Sequence, residues 1–254
     1  MRAMAIAQSR QPMFILPNWP APSNVRAAVT TRVGGVSIGP YAELNLAMHV
    51  GDDPRAVVEN RRRVREALRL PAEPTWLNQV HGTHVVTAGA YSQPPTADAS
   101  IARSAGAVCV VLTADCLPVL FCDEGGTCVA AAHAGWRGLA SGILGETVAA
   151  LGCAPHSLLA WLGPAIEQDA FEVGDEVREQ FLARNRAHDS AFVRNARGRW
   201  QADLYALART ELTCLGVTRI FGGGFGCFAD AKRFFSYRRE NRTGRMGTFI
   251  WREQ

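Results

Sequence analysis

Lysine is almost absent from this chain: Lys232 is the only one, so 26 of the 27 basic residues are arginine. A GC-rich coding sequence produces that bias without a functional cause, and each arginine is therefore weighed by its own position. No basic block is interleaved with aromatic residues, which excludes the groove of a nucleic-acid-binding protein. No two of the seven cysteines, which run from Cys109 to Cys227, have C-x-x-C spacing, and their number is odd. Neither a disulfide framework nor a zinc finger is indicated. The opening stretch MRAMAIAQSRQPMFILP lacks a continuous apolar segment before a small-residue cleavage site. No later run of about 18 apolar residues could span a bilayer, so cytoplasmic residence, away from any membrane, is the expectation. The Gly222-Gly223-Gly224 run lacks the spacing and strand-to-helix setting of a dinucleotide site and is given no cofactor role. Internal repeats, low-complexity tracts and linkers are missing as well.

What is present is the material of a folded core. Of 254 residues, 48% are hydrophobic and 20% charged, with a net charge of +4, which excludes a disordered chain. The length fits one large α/β domain, and without a linker residues 1–254 read as a single domain of mixed sheets with helices outside them. A short strand is expected around Met13–Leu16, and Val25–Arg32 alternates as a strand does. Asp53-Pro54 pairs an N-cap acid with proline at the first helical position, starting a helix that runs to about Leu70. The arginines at 61, 62, 63 and 65 read as its solvated face. Thr75–Val80 and His84–Ala88 read as two short strands around a turn at His81-Gly82-Thr83. Ala105–Leu112 is apolar and valine-rich, as in a strand buried on both faces. Helices are expected from about Gly138 to Leu151, over Asp175–Arg186, and from a cap at Asp203 to Gly216. Leu158–Leu162 and Val217–Phe221 read as strands, and much of the tail after Cys227 as a terminal strand pair.

The chemistry concentrates in Thr113–Gly138, TADCLPVLFCDEGGTCVAAAHAGWRG. Two apolar, β-branched runs flank Asp123-Glu124-Gly125-Gly126, predicting a hairpin followed by the start of a helix. A turn centred between Glu124 and Gly125 sets Cys116 directly opposite His133. Paired residues share a face, with Cβ atoms about 4.5–5.5 Å apart. That distance suits a thiolate and an imidazole on one metal ion, at roughly 2.3 Å for Zn–S and 2.0–2.1 Å for Zn–N, and equally suits a Cys–His nucleophile pair. A buried cysteine packed beside a strand-end histidine is the third reading. His81, at the tip of the preceding turn, is the candidate third ligand of an open zinc site, with His84 its competitor. Arg137 stands at the N-terminus of the helix after His133, where free backbone N–H groups favour an anion, and is the phosphate candidate on physical grounds. The loop carrying Arg32, Asn45 and His49 reads as a connection.

Five segments, TTRVGGVSIGPYAELNLAMHVGDD, NQVHGTHVV, TADCLPVLF, AAHAGWRGL and FFSYRRENRTGRM, together resemble the YfiH-type laccase-domain family, whose members carry the names polyphenol oxidase and purine nucleoside phosphorylase. The likeness extends from about Thr30 to Ile250. It implies an α/β fold of the α+β type: four layers, α/β/β/α, with mixed β-sheets. It also implies a zinc site of two histidines and one cysteine that falls on His81, Cys116 and His133, which are then the catalytic residues, and it sets His84 aside. The implied chemistry is phosphorolysis of adenosine, inosine and 5′-methylthioadenosine, with hydrolytic deamination of adenosine at the same site. Purine nucleosides and phosphate are then the partners, and Arg32 joins Arg137 as a phosphate-binding residue. Cys227-Phe228 departs from the Cys-Thr pair expected there, so no role is assigned to that loop.

Three protein ligands leave a fourth zinc position for water, whose pKa falls to about 7, and the hydroxide so formed can attack C6 of adenine. Asp115 adjoins Cys116, but strand alternation turns it to the opposite face unless the backbone bends, and no general acid or base is identified. Cu2+ could occupy the same Cys–His site, since it outcompetes other divalent metals at N/S ligands. Six histidines are nevertheless too few for a multicopper oxidase. The alternatives are a cysteine hydrolase or deamidase with Cys116 as nucleophile and His133 as base, a copper-dependent polyphenol oxidase, or a non-catalytic zinc domain or part in cell-wall precursor editing. Three ligands rather than four favour catalysis.

Overall fold

The computed structural model describes residues 12–253, and its longer strands fall into two sheets. In chain order, β1 (Phe14–Ile15) and β2 (Val25–Thr30) lead to helix α1 (Pro54–Leu68). Next come β3 (Val85–Thr87), β4 (Ala99–Ala102), β5 (Val108–Thr113), β6 (Leu117–Asp123) and β7 (Val129–Ala134). Helices α2 (Trp136–Ser141) and α3 (Ile143–Leu151) precede β8 (Leu158–Leu162), β9 (Glu172–Val173) and α4 (Asp175–Arg184). The chain ends with β10 (Phe192–Arg194), β11 (Trp200–Ala202), α5 (Leu204–Cys214), β12 (Arg219–Gly222), α6 (Tyr237–Glu240) and β13 (Met246–Arg252).

One sheet has the order β1-β2-β13-β5 and is antiparallel throughout. The other, β12-β8-β6-β7-β4-β3, is mixed: β12 runs parallel to β8 and β3 parallel to β4, while the inner pairs are antiparallel. Strand alternation sends successive residues into different cores. Val25, Val29, Val111 and Ile250 of the first sheet meet Leu120, Val129, Ala131 and Trp161 of the second, filling the space between the sheets. Val119, Phe121, Ala130 and Ala132 point the other way, onto Leu144 and Val148 of α3 and Leu207 and Leu212 of α5. On the far side of the first sheet, Val108, Val110 and Phe249 pack with Val64 of α1. The layers therefore run helix, sheet, sheet, helices, the four-layer arrangement the resemblance implies. No helix among the described residues is long and apolar enough to cross a membrane.

Capping chemistry places α1 and α5 where the sequence does: Asp53 accepts from the Arg55 amide, and Asp203 from those of Tyr205 and Ala206. Four expectations change. The helix after His133 is two helices, because Gly142 takes a left-handed φ of 101° between α2 and α3. Thr75–Val80 is not a strand; Thr75 and Asn78 make isolated parallel bridges, and β3 pairs with β4 instead of folding back on the preceding segment. The tail forms no edge pair: β13 inserts between β2 and β5, and six of its seven residues are buried. Arg61 is not on a solvated face, since its guanidinium lies 3.7 Å from the Trp76 ring centre and its Nε donates to the Leu46 carbonyl. The neighbouring Arg62 and Arg63 do face outward, paired with Glu59.

Candidate metal centre and cavity

The inter-sheet core is open at one end, where β6 begins and β7 finishes. There an imidazole nitrogen each of His81 and His133 and the Cys116 sulfur lie within 4.8 Å of one another. The two rings meet edge-to-face with centres 4.7 Å apart, and Cys116 Sγ is 3.7 Å from His81 Nε2. This is the one such group of potential metal ligands among the described residues.

The hairpin register differs from the expected one by two residues. His133 stands opposite Pro118, not Cys116, because the loop is centred on Gly125–Gly126. The Asp123 carboxylate sets that centre: it accepts from the amides of Thr127 (2.6 Å) and Cys128 (2.7 Å) and from the Thr127 hydroxyl (2.9 Å). Strand periodicity is two, so a slip of two leaves every side chain on its original face. Cys116 thus still shares a face with His133, although it lies just before the ladder. Asp115, at a φ of 89°, bends the chain into that position. Gly135 makes room, since a Cβ there would lie 2.8 Å from Cys116 Sγ and 2.9 Å from His81 Cδ2.

Asp98 organises the other two ligands. Fully buried just before β4, it holds His133 Nδ1 at 2.8 Å from its Oδ1, which leaves Nε2 to face the cluster. The same carboxylate accepts the amides of Val80 (3.2 Å), His81 (2.9 Å) and Gly82 (2.7 Å), holding His81 at a φ of 60°. Its carbonyl accepts the His133 amide at 2.7 Å. Burial alone would raise the Asp98 pKa, but the His133 and Gly82 donors bring it below its ordinary value. Desolvation would likewise raise the Cys116 thiol, yet the His133 and His81 imidazoles pull it down. His133 goes the other way: burial opposes its charge, and Cys116 and Asp98 raise its pKa. A lowered thiol, two imidazoles and a carboxylate fixing one tautomer form a donor set that fits zinc or another metal of N/S preference.

A cavity of about 410 Å³ opens on this cluster. Arg245, His49, Phe171, Ile166, Tyr237 and Asp115 line it together with the cluster. Arg245, half-buried just before β13, donates from Nη1 to the carbonyls of Thr243 (2.9 Å) and Gly244 (3.0 Å) and has no ion pair among the described residues. Desolvation lowers its pKa, as for a cation short of a counter-charge. Burial, then Arg245 and Arg61, lower the pKa of His49. Arg238 is tied to the carbonyls of Ala170 and Glu172 on either side of Phe171.

The two arginines chosen from the sequence are not among the residues that line this cavity. Arg137 is exposed and stacks on Trp136 at 4.4 Å. Arg32 donates to the carbonyls of Ala42 and Ala231 and pairs with Glu240 at 3.4 Å. His84 is exposed and away from the cluster. Asp98 and Arg245 were not singled out. The available signal for Asp98 was a lone charge in the otherwise small and apolar run Thr96–Ala102, while Arg245 is one of many arginines in its segment.

Two stacked sheets flanked by helices, with a His-Cys-His cluster at their open end, define a laccase-domain protein. Residues 26–253 match the family described as "Multi-copper polyphenol oxidoreductase laccase", and the chain belongs to that family. It is 56% identical over 239 residues to purine nucleoside phosphorylase PA4543 of Pseudomonas aeruginosa, covering 94% of this chain and 98% of that one. Identity to purine nucleoside phosphorylase YfiH of Escherichia coli is 52% over 240 residues, with the same coverages. The solved structure of Neisseria meningitidis protein NMB0706 superposes with a TM-score of 0.93 at 49% identity, covering 96% of this chain and all of that one. YlmD from Geobacillus stearothermophilus gives 0.88 at 31% identity, covering 97% and 98%.

Proposed function

We propose that the cavity is the active site of a zinc-dependent purine nucleoside phosphorylase, a single laccase domain acting in the cytoplasm on adenosine, inosine and 5′-methylthioadenosine, with hydrolytic deamination of adenosine at the same site. The observation that carries this reading is Arg245, a guanidinium with no ion pair among the described residues, lining the same cavity as His81, Cys116 and His133. The names of the bacterial relatives support it.

In phosphorolysis a phosphate oxygen bonds to the ribose C1′ as the C1′–N9 bond breaks, leaving the electron pair on the purine, which then takes a proton. Arg245 is suited to the phosphate because a fork of N–H donors matches its oxygens. His49, held neutral by its surroundings, adds a donor from one ring nitrogen. Phe171 and Ile166 offer apolar surface for the purine, and Arg238 fixes the segment that bears Phe171. A zinc ion held by His81, Cys116 and His133 would supply Lewis acidity in the same cavity. Asp98 keeps His81 and His133 oriented for it. Copper is the alternative occupant.

A second reading has its own support: the lowered Cys116 thiol, the raised His133 and the Asp98 contact form a Cys–His–Asp relay without any metal. Turnover of inosine with phosphate separates the two. Under the zinc reading it stops on chelation and returns with added zinc. Activity that survives complete chelation and ends on thiol alkylation would replace that reading with the cysteine nucleophile.

A further inference from the structure

Two thiols remote from the cavity lie closer together than their surroundings require. Cys128, buried just before β7, and Cys153, partly exposed just beyond the C-cap of α3, have sulfurs 3.2 Å apart. No bond joins them. A disulfide needs about 2.05 Å, so closure asks for roughly 1 Å of movement, within the reach of small side-chain rotations. Cys153 follows Gly152, which has a left-handed φ of 63° at the end of the helix, and the other polar contact of its sulfur among the described residues is a 3.4 Å approach to the Leu151 carbonyl.

We propose that Cys128 and Cys153 form an oxidisable dithiol, a covalent modification site at which a hydroperoxide produces an intramolecular disulfide. Cys153 reacts first, because it is the accessible member. Its sulfur attacks one peroxide oxygen, the S–O bond forms as O–O breaks, and for hydrogen peroxide the departing oxygen leaves as water with the thiol proton. Cys128 then attacks the sulfenic sulfur; S–S forms, S–O breaks, and the leaving hydroxide takes the Cys128 proton as a second water. Two thiols lose two electrons and two protons, and one peroxide becomes two waters. Burial, then contact with Cys153 and the charge of Asp123, push the Cys128 thiol well above its ordinary range, which disfavours its direct reaction. Transfer of its proton to the hydroxide formed beside it offsets that disadvantage in the second step.

The bond would close a loop that contains His133, α2 and α3. Cys128 precedes His133 by five residues along an extended strand, roughly 17 Å. Oxidation therefore stabilises the fold while leaving the ligand cluster in place. The test uses zinc-loaded protein treated with a few equivalents of hydrogen peroxide, alkylated, and digested with trypsin and Asp-N without reduction. Cleavage before Asp123 and Asp169 and after Arg137 isolates Cys128 and Cys153 in peptides 123–137 and 138–168. The expected product is these two peptides joined, two hydrogens lighter than their sum. Thermal unfolding should shift upward by about 5 °C or more in the oxidised protein, reversibly with dithiothreitol. Phosphorolysis should stay within about twofold of the untreated rate, and Cys153→Ser should abolish both the link and the shift. Alkylation of both cysteines after treatment, or Cys153 recovered as a sulfinic acid with Cys128 free, would overturn the proposal.

Discussion

Asp98 is the residue on which the metal centre turns, because one buried carboxylate serves a ligand side chain and the backbone beneath another. An amide in its place would set an NH2 group against donors that now meet oxygen. Asp98→Asn should weaken zinc binding by about 10–100-fold, read by competition with a chromogenic chelator. Unchanged affinity would mean that the carboxylate does not orient the ligands. Under the proposed function, Arg245 holds the phosphate. Arg245→Ala should raise the KM for phosphate by about 10–100-fold, as expected for a charge-assisted hydrogen bond of about 1.5–3 kcal/mol. Deamination of adenosine, which uses no phosphate, should persist, while Arg137→Ala should change phosphorolysis by less than about twofold. Equal loss of phosphorolysis and deamination in Arg245→Ala would remove the phosphate role. Cys116 and His133 were legible from the sequence because their meeting depends only on strand parity, which a two-residue slip preserves. Asp98 was not, since it acts through contacts with residues distant in the chain, and Arg245 was not, since the cavity it lines is assembled from segments distant in the chain, which no local periodicity encodes.

The β6–β7 hairpin shows what local pattern can and cannot fix at the level of an element. Its strands were legible as apolar runs around a glycine-rich turn. The loop centre was not, because it is chosen by the Asp123 side chain reaching the amides of Thr127 and Cys128. Caps made α1 and α5 readable for the opposite reason: a capping bond is local to the sequence. β4 and the short strands β9 to β11 carry too few residues to show a period, and the burial of β13 reflects its two neighbouring strands. Asp123 also gives the hairpin a pH dependence. Burial would raise its pKa, but the hydrogen bonds of Cys128 and Thr127 outweigh that and hold it below the ordinary value. Its stabilisation is therefore complete above the unfolded-state value of about 3.9 and fades as pH falls through the lower folded value. Asp123→Asn should cost about 1–2 kcal/mol near neutral pH. Thermal unfolding of the two proteins should show that gap constant from pH 6 to 8 and narrowing below about pH 4; a gap that widens in acid would contradict the linkage.

Across the whole molecule, four layers were legible from the family resemblance, and the structure supplies their reason: each sheet feeds alternate residues to a different core. The cavity forms where the inter-sheet core ends, so one sheet contributes Arg245 and the other Cys116 and His133. A His-Cys-His cluster that could hold a metal and an arginine with no ion pair among the described residues line one cavity, an arrangement suited to joining an anion to a substrate held there. That claim is tested most directly by supplying zinc-loaded protein with adenosine, with and without phosphate, and identifying the products. With phosphate the expected products are adenine and ribose 1-phosphate, accompanied by inosine from deamination; without it, inosine forms and no ribose 1-phosphate. Adenosine consumed at the same rate and to the same products whether or not phosphate is present would contradict the account.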